Sequence, residues 1–206
     1  WSEEKKGEIL SRISQSASKL ASLIEDILTY NRAEAGKIEF SRARIDLPNF
    51  CRDLVKSYQL NAGDSKTVRF VVLGSKSEAY LDIKLLGLIL NNLLSNAVKY
   101  SYSGGTVELE LTWQSENVIF KVKDQGIGIP ASDQPNLFEP FQRASNVGTI
   151  SGTGFGLAIV KRSVLAHKGL ISVESSEGQG TTFTVSLPLI DPVAKDNTLD
   201  KNPLHS

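Results

Sequence analysis

The sequence predicts an α+β chain in which one long amphipathic helix precedes a two-layer α/β sandwich, a mixed sheet with helices on one face. Three observations predict it. Helical and strand periodicities interleave along the chain. Several strands follow one another through short glycine turns instead of through helices. Hydrophobic residues make up 40% of the 206 residues, enough to bury a core. The organisation expected is a helix and connector over residues 1–40, a folded domain over residues 41–190, and a polar, disordered tail over residues 191–206.

Residues 8–35 read as the first helix. Ile9, Ile13, Ala17, Leu20, Ile24 and Ile27 recur every three or four residues, a stripe close to a coiled-coil seam, and Gly36 stops the run. One helix with one apolar stripe is not a domain. The stripe is therefore expected to pack on an element outside this chain or on a second copy. Gly36 to Asp46 reads as a connector ending in an extended piece. Pro48 opens a second helix, where its missing N–H costs nothing, and this helix ends near residues 61–64. Val68–Leu73 reads as a strand and Ala79–Leu81 as a shorter one. Asp82 caps a third helix running to about Tyr100. A turn at Ser103-Gly104-Gly105 leads into two alternating strands, Thr106–Thr112 and Val118–Lys123. Residues 124–156 read mostly as loop. A fourth helix spans about Phe155 to His167 and stops at Lys168-Gly169. Two last strands, Leu170–Glu174 and Thr181–Leu187, flank a turn at Glu177–Gly180.

Composition narrows the function classes. Lys+Arg and Asp+Glu both number 23, so the chain carries no net charge and no basic stripe for nucleic acid. The longest apolar stretch, Leu85 to Leu94, is interrupted by Asn91 and Asn92 and is far short of a bilayer span. The polar opening Trp1–Lys6 is not a signal peptide, and a lone Cys51 fits a reducing compartment, so a cytoplasmic location is expected.

Three segments carry chemistry. On the third helix, Asn92, Asn96 and Lys99 lie at i, i+4 and i+7, which places them on one face within roughly 60°. Two amides and an amine on one face suit a hydrated Mg²⁺ and phosphate oxygens, since Mg²⁺ takes hard oxygen ligands and keeps several waters. The plainer reading is a solvated helix face. The second segment is Asp124-Gln125-Gly126-Ile127-Gly128-Ile129-Pro130, directly after a strand. Its acid can accept from an exocyclic amine such as that of adenine, and its glycines let the backbone approach a flat ligand. The plainer reading is a glycine-rich strand-end turn. The third is Gly152-Thr153-Gly154-Phe155-Gly156, opening the fourth helix, where free N–H groups and the positive end of the helix dipole favour phosphate. A dinucleotide-binding fingerprint would need G-x-G-x-x-G after a strand, and here a loop precedes the glycines. Between the last two segments, Phe138 and Phe141 read as anchors of a mobile segment. Arg143 reads either as a group that neutralises charge on a terminal phosphate or, more plainly, as a surface arginine, and residues 144–151 are small and flexible enough for a lid.

The ordered set Asn92-x-x-x-Asn96, Asp124-x-Gly126-x-Gly128, Phe138-x-x-Phe141, Gly152-x-Gly154-x-Gly156 and Gly178-x-Gly180-Thr181 resembles the N, G1, F, G2 and G3 boxes of sensor histidine kinases. That family has the Bergerat ATP-binding fold of the wider GHKL superfamily. The resemblance covers residues 8 to 190. It implies ATP and Mg²⁺, with Asn96 on the metal and Asn92, Lys99 and Tyr100 on its shell or the phosphates. Asp124 would read the adenine amine, and Gly126, Gly128 and Ile129 would line the base pocket. Arg143 would meet the γ-phosphate; Gly152, Thr153, Gly154, Phe155 and Gly156 would cradle phosphates; Gly180 and Thr181 would support the floor. Asn92, Lys99 and Arg143 would carry the catalytic roles.

The first helix resembles the second helix of the family's dimerisation and phosphoacceptor hairpin. Neither His167, at a helix end, nor His205, in the tail, has the acidic neighbour of the family's acceptor. The acceptor is therefore expected outside this chain, on the hairpin of the same kinase, and the chain alone is expected not to phosphorylate itself. The resemblance further implies a homodimer in the full protein and a response regulator as partner, and leaves room for a membrane-anchored parent. Gyrase-like, Hsp90-like and MutL-like ATPases of the superfamily need a carboxylate where Asn92 stands, and an amide cannot act as that base. An anti-sigma-factor serine kinase is a closer rival, against which the hairpin-type helix argues. A degenerate module that only binds nucleotide is the remaining alternative, against which the intact boxes argue.

Overall fold

A computed structural model of the chain describes residues 3–34, 40–150 and 152–189. Helix α1 spans Glu3–Glu34, so it begins five residues before the expected start at residue 8. The expected stop at Gly36 and the tail from residue 191 lie outside the described residues. Strand β1 (Ala43–Asp46) leads into α2 (Leu47–Ala62). Asp46 caps that helix by accepting from the Asn49 amide at 3.0 Å, and Pro48 follows in its first turn. Next come β2 (Thr67–Leu73), β3 (Glu78–Leu81) and α3 (Ile83–Tyr100). Asp82 caps α3 as expected, its Oδ1 accepting from the Lys84 and Leu85 amides at 2.9 and 3.0 Å. Strands β4 (Thr106–Gln114) and β5 (Asn117–Lys123) pair as an antiparallel hairpin. Helix α4 (Gly156–Ala166) and the hairpin of β6 (Leu170–Ser176) and β7 (Gly180–Pro188) complete the domain.

Five strands form one mixed sheet in the order β2-β4-β5-β7-β6, and β1 pairs with β3 in a separate ribbon. Only β2 and β4 are parallel, joined by a crossover that contains α3. The period-2 pattern decides which face is covered. Val107, Leu109 and Leu111 of β4 are fully buried, as are Val118 and Phe120 of β5 and Val185 and Leu187 of β7. They pack against Leu86, Ile89, Leu90 and Leu93 of α3 and Val160 and Val164 of α4. The opposite face is polar, with Arg69 paired to Glu108 across β2 and β4 at 2.6 Å.

The stripe of α1 is uncovered. Ile13, Leu20 and Ile24 are each more than half exposed, and α1 touches the domain near its C-terminal end, where Tyr30 packs on Phe155 with ring centroids 5.9 Å apart. This end contact with α4 is what holds the helix to the sandwich.

Candidate functional site

A cavity of about 540 Å³ lies between α3, the loop after β5, residues 137–154 and the first turn of α4. Asn92, Asn96 and Lys99 line one wall together, as their helical spacing predicts, with Ser95 and Tyr100 beside them. Lys99 Nζ donates to the Tyr100 hydroxyl at 3.0 Å. A Cβ on Gly152 would sit 2.9 Å from that ammonium, so the loop passes directly over it. Asn92 Nδ2 donates to the Leu88 carbonyl at 2.8 Å, and its Oδ1 abuts Gly156, where a Cβ would come within 2.7 Å. Helix α4 can therefore start hard against α3 only with glycine at its first position. Phe155, at the N-cap of α4, gives the helix start no side-chain hydrogen bond, and the first residues Gly156 and Leu157 line the cavity. The unsatisfied amides and the dipole of such a helix start favour an anion.

Asp124 follows β5 directly and lines the cavity as well. It is 6% exposed, and its Oδ1 is buried with no hydrogen-bond partner among the described residues. Burial pushes its pKa up to about 6, against the downward pull of the Thr181 and Gly126 amides. A buried carboxylate oxygen without a partner is costly, and one that lines a cavity is an acceptor waiting for a donor. Gly128 turns the following loop at a φ of 64°, and a Cβ there would overlap the Ser176 carbonyl. Ile127, Ile129, Leu137 and Phe183 give this end apolar walls, and Thr181 lines it from β7.

Thirteen of the predicted site residues line the cavity: Asn92, Asn96, Lys99, Tyr100, Asp124, Gly128, Ile129, Arg143, Gly152, Thr153, Gly154, Gly156 and Thr181. Gly126 and Phe155 do not. Gly126 bridges to Ser101 behind the wall, and Phe155 is 2% exposed, packed on Phe141 and Tyr30. Two expectations for the connecting segment change. Phe138 does anchor it, packing on Phe183 at 6.4 Å, but Phe141 is 70% exposed with a left-handed φ of 64°. Residues 144–150 are folded: Ser145–Val147 form a 3-10 turn, and Arg143 Nη2 donates to the Ile150 carbonyl at 2.5 Å. Ser151, the last residue of the expected lid, is outside the described residues. Several lining residues escaped the sequence reading. Ser95 was legible as i+3 from Asn92 on the same face, and Phe183 as the next inward position after Thr181.

A family model described as histidine kinase-, DNA gyrase B- and HSP90-like ATPase matches residues 81–191, more than half of the chain. The chain belongs to this family. The sandwich is its Bergerat fold, and the domain is an ATP-binding domain of the histidine-kinase kind. The circadian input-output histidine kinase CikA of Synechococcus elongatus is 38% identical over 208 aligned positions, which cover 97% of this chain and 28% of that protein. The sensor histidine kinase WalK of Bacillus subtilis is 33% identical over 176 positions, covering 82% of this chain and 28% of that protein. The chain thus spans little more than a quarter of the length of these relatives. Among solved structures, full-length ShkA in complex with AMPPNP superposes with a TM-score of 0.79 at 28% identity, over 89% of this chain and 39% of that one. The likeness to the Acinetobacter baumannii histidine kinase AdeS, with a TM-score of 0.71 at 23% identity, is one of fold. Among the described residues no helix is long and apolar enough to cross a membrane.

Proposed function

We propose that the cavity holds ATP with Mg²⁺, and that the chain is the catalytic part of a two-component sensor histidine kinase. The observation that carries this reading is the lining of one cavity: a buried acceptor, Asp124 Oδ1, with no partner among the described residues, together with two cations, Lys99 and Arg143, and the glycine-rich start of α4. Asp124 Oδ1 would accept from the exocyclic amine of adenine, with Ile127, Ile129 and Phe183 against the ring. Lys99, Arg143 and the first turn of α4 would receive the phosphates. Among the described residues no three His, Cys, Asp or Glu side chains converge to cage a metal. Mg²⁺ would then be held by the Asn96 amide oxygen, with phosphate oxygens and water completing its shell, and would neutralise phosphate charge there. The nucleotide analogue in the ShkA structure supports an occupant of this class.

Asn92 stands where a hydrolase of this family would need a general base, so the site favours transfer over hydrolysis. Phosphoryl transfer asks chiefly for positioning and charge neutralisation, which Asn92, Lys99 and Arg143 would supply. His167 is not the acceptor on this reading: it is 1% exposed, and both ring nitrogens are engaged, with the Asp82 amide at 3.2 Å and the Ser163 carbonyl at 2.9 Å. His205 lies outside the described residues. The γ-phosphate would pass to a histidine on the dimerisation hairpin of the same kinase, of which α1 would be the second helix. A homodimer and a response regulator complete the proposed system, in the cytoplasm whether or not the parent is membrane-anchored.

Calorimetry with Mg-ATP tests the first step. Binding is expected at micromolar to sub-millimolar strength, as typical affinities in this range correspond to about 5–8 kcal/mol. Asn96→Ala should weaken its metal-dependent part. A folded sample that gives no heat with Mg-ATP contradicts the reading.

A further inference from the structure

The segment expected to be a flexible lid is tied down at its root. In the 3-10 turn at Ser145–Val147, Asn146 Nδ2 donates to the carbonyls of Gly128 and Ile127 at 3.0 and 3.3 Å. Two carbonyls facing one carboxamide end require the nitrogen there, which fixes how the group is turned. Beside it, the Ser145 amide and hydroxyl both donate to Asp133 Oδ2, at 2.7 and 2.8 Å. Asp133 is itself bonded back to the loop, its amide donating to the Pro130 carbonyl at 3.0 Å. Gln134 Nε2 donates to the carbonyls of Ile129 and Ser175 at 3.1 and 3.0 Å. The root of the lid, the loop after β5 and the end of β6 are thus one bonded unit.

This unit builds a wall of the cavity. Ala144 and Val147 line it from the lid side, and Ile127, Gly128 and Ile129 from the loop side. The Asn146 carboxamide crosses between the two.

We propose that Asn146 is a specificity-determining positioning residue: its carboxamide bolts the root of the lid to the base-side loop, so the wall around the base is built before nucleotide arrives. Asn146 acts through the loop carbonyls it holds and not by touching the nucleotide. The inference rests on the cavity being an ATP site.

The test is a titration of Asn146→Asp and Asn146→Ala with ATP, ADP and GTP, beside the wild type and Arg143→Ala. Asn146→Asp keeps the shape but sets a carboxylate oxygen against two carbonyls; Asn146→Ala removes the link. Both should weaken ATP and ADP by the same factor, about tenfold, the scale of one to two net hydrogen bonds. Both should narrow the preference for ATP over GTP, whereas Arg143→Ala should weaken ATP more than ADP. Wild-type affinities and preference in the Asn146 variants, or a loss confined to ATP, would overturn the proposal. Hydrogen exchange on the nucleotide-free wild type tests the bonded unit that Asn146 belongs to even if the variants fold poorly. The Ser145 amide should already be protected. A Ser145 amide exchanging as fast as that of Gly148 overturns the clip. A wild type that binds neither ATP nor ADP overturns the ATP reading instead, and the exchange result then judges the clip by itself.

Discussion

Asp124→Asn should make the protein more stable and its nucleotide binding worse. The carboxylate is 6% exposed, with one oxygen unpartnered. Burial raises its pKa from the ordinary 3.8 to about 6. Between those two values the folded chain keeps a proton that the unfolded chain has lost. Stability therefore falls as pH rises through this window, and the penalty is complete above about pH 6. A displacement of that size corresponds to about 3 kcal/mol, an upper figure for what a neutral isostere can restore. For a domain of this length, each kcal/mol moves Tm by about 2–4 °C. Thermal unfolding near neutral pH should show Tm raised by several degrees, and the gain should vanish as pH is lowered toward about 4. In the same sample ATP affinity should drop by about tenfold or more, since asparagine has one acceptor oxygen and cannot serve both the Thr181 and Gly126 amides and the adenine amine, and preference for adenine over guanine should narrow. A variant that is destabilised, or stabilised equally at all pH values, would refute the assignment of Asp124 as a carboxylate held under strain for a ligand.

Two further outcomes follow from other parts of the molecule. Burial lowers the pKa of His167, helped by the Arg42 charge and opposed by the Ser163 carbonyl and Asp82, so the folded chain resists a proton that the unfolded chain takes up near 6.5. Its contribution is whole above 6.5 and is lost as pH falls through the folded value; Tm should drop less on acidification to about pH 5.5 in His167→Gln than in the wild type, and equal drops would contradict this. The uncovered stripe of α1 should drive self-association, since each covered Leu or Ile is worth about 1.5–3 kcal/mol. Leu20→Glu with Ile24→Glu should reduce the dimer in sedimentation experiments, whereas a strictly monomeric wild type with α1 strongly protected from exchange would contradict it.

Where contacts are local, the sequence carried the fold openly. The face shared by Asn92, Asn96 and Lys99 follows from helical spacing alone, and the Asp82 cap from an acid placed before an apolar run. The strands of β4 and β5 follow from strict alternation. The root of the lid differs from the flexible segment that composition suggests, because its order comes from partners far along the chain. Asn146 reaches carbonyls 18 and 19 residues away, and Ser145 an acid 12 residues away, so a run of small residues looks flexible from composition alone. Phe141 reads as an anchor from its apolar ring, but its backbone is left-handed and the ring stays mostly exposed against Phe155. The tie between the two core helices, His167 against the Asp82 amide, spans 85 residues and leaves no mark in any local pattern.

The central claim is that this chain carries phosphotransfer machinery for a histidine it does not itself present. The direct measurement is incubation with ATP labelled at the γ-position, alone and with the dimerisation hairpin of the parent kinase supplied as a separate protein. Alone, the chain should acquire no acid-labile, base-stable phosphate, because His167 is buried with both nitrogens occupied. With the hairpin present, label should appear on the hairpin, slowly, because unlinking the two parts lowers the effective concentration. Lys99→Ala and Arg143→Ala should slow the transfer by more than they weaken ATP binding, as expected of contacts made chiefly in the transition state. Phosphohistidine found at residue 167 of the chain alone, or a hairpin that stays unlabelled beside a chain that binds Mg-ATP, would contradict the account.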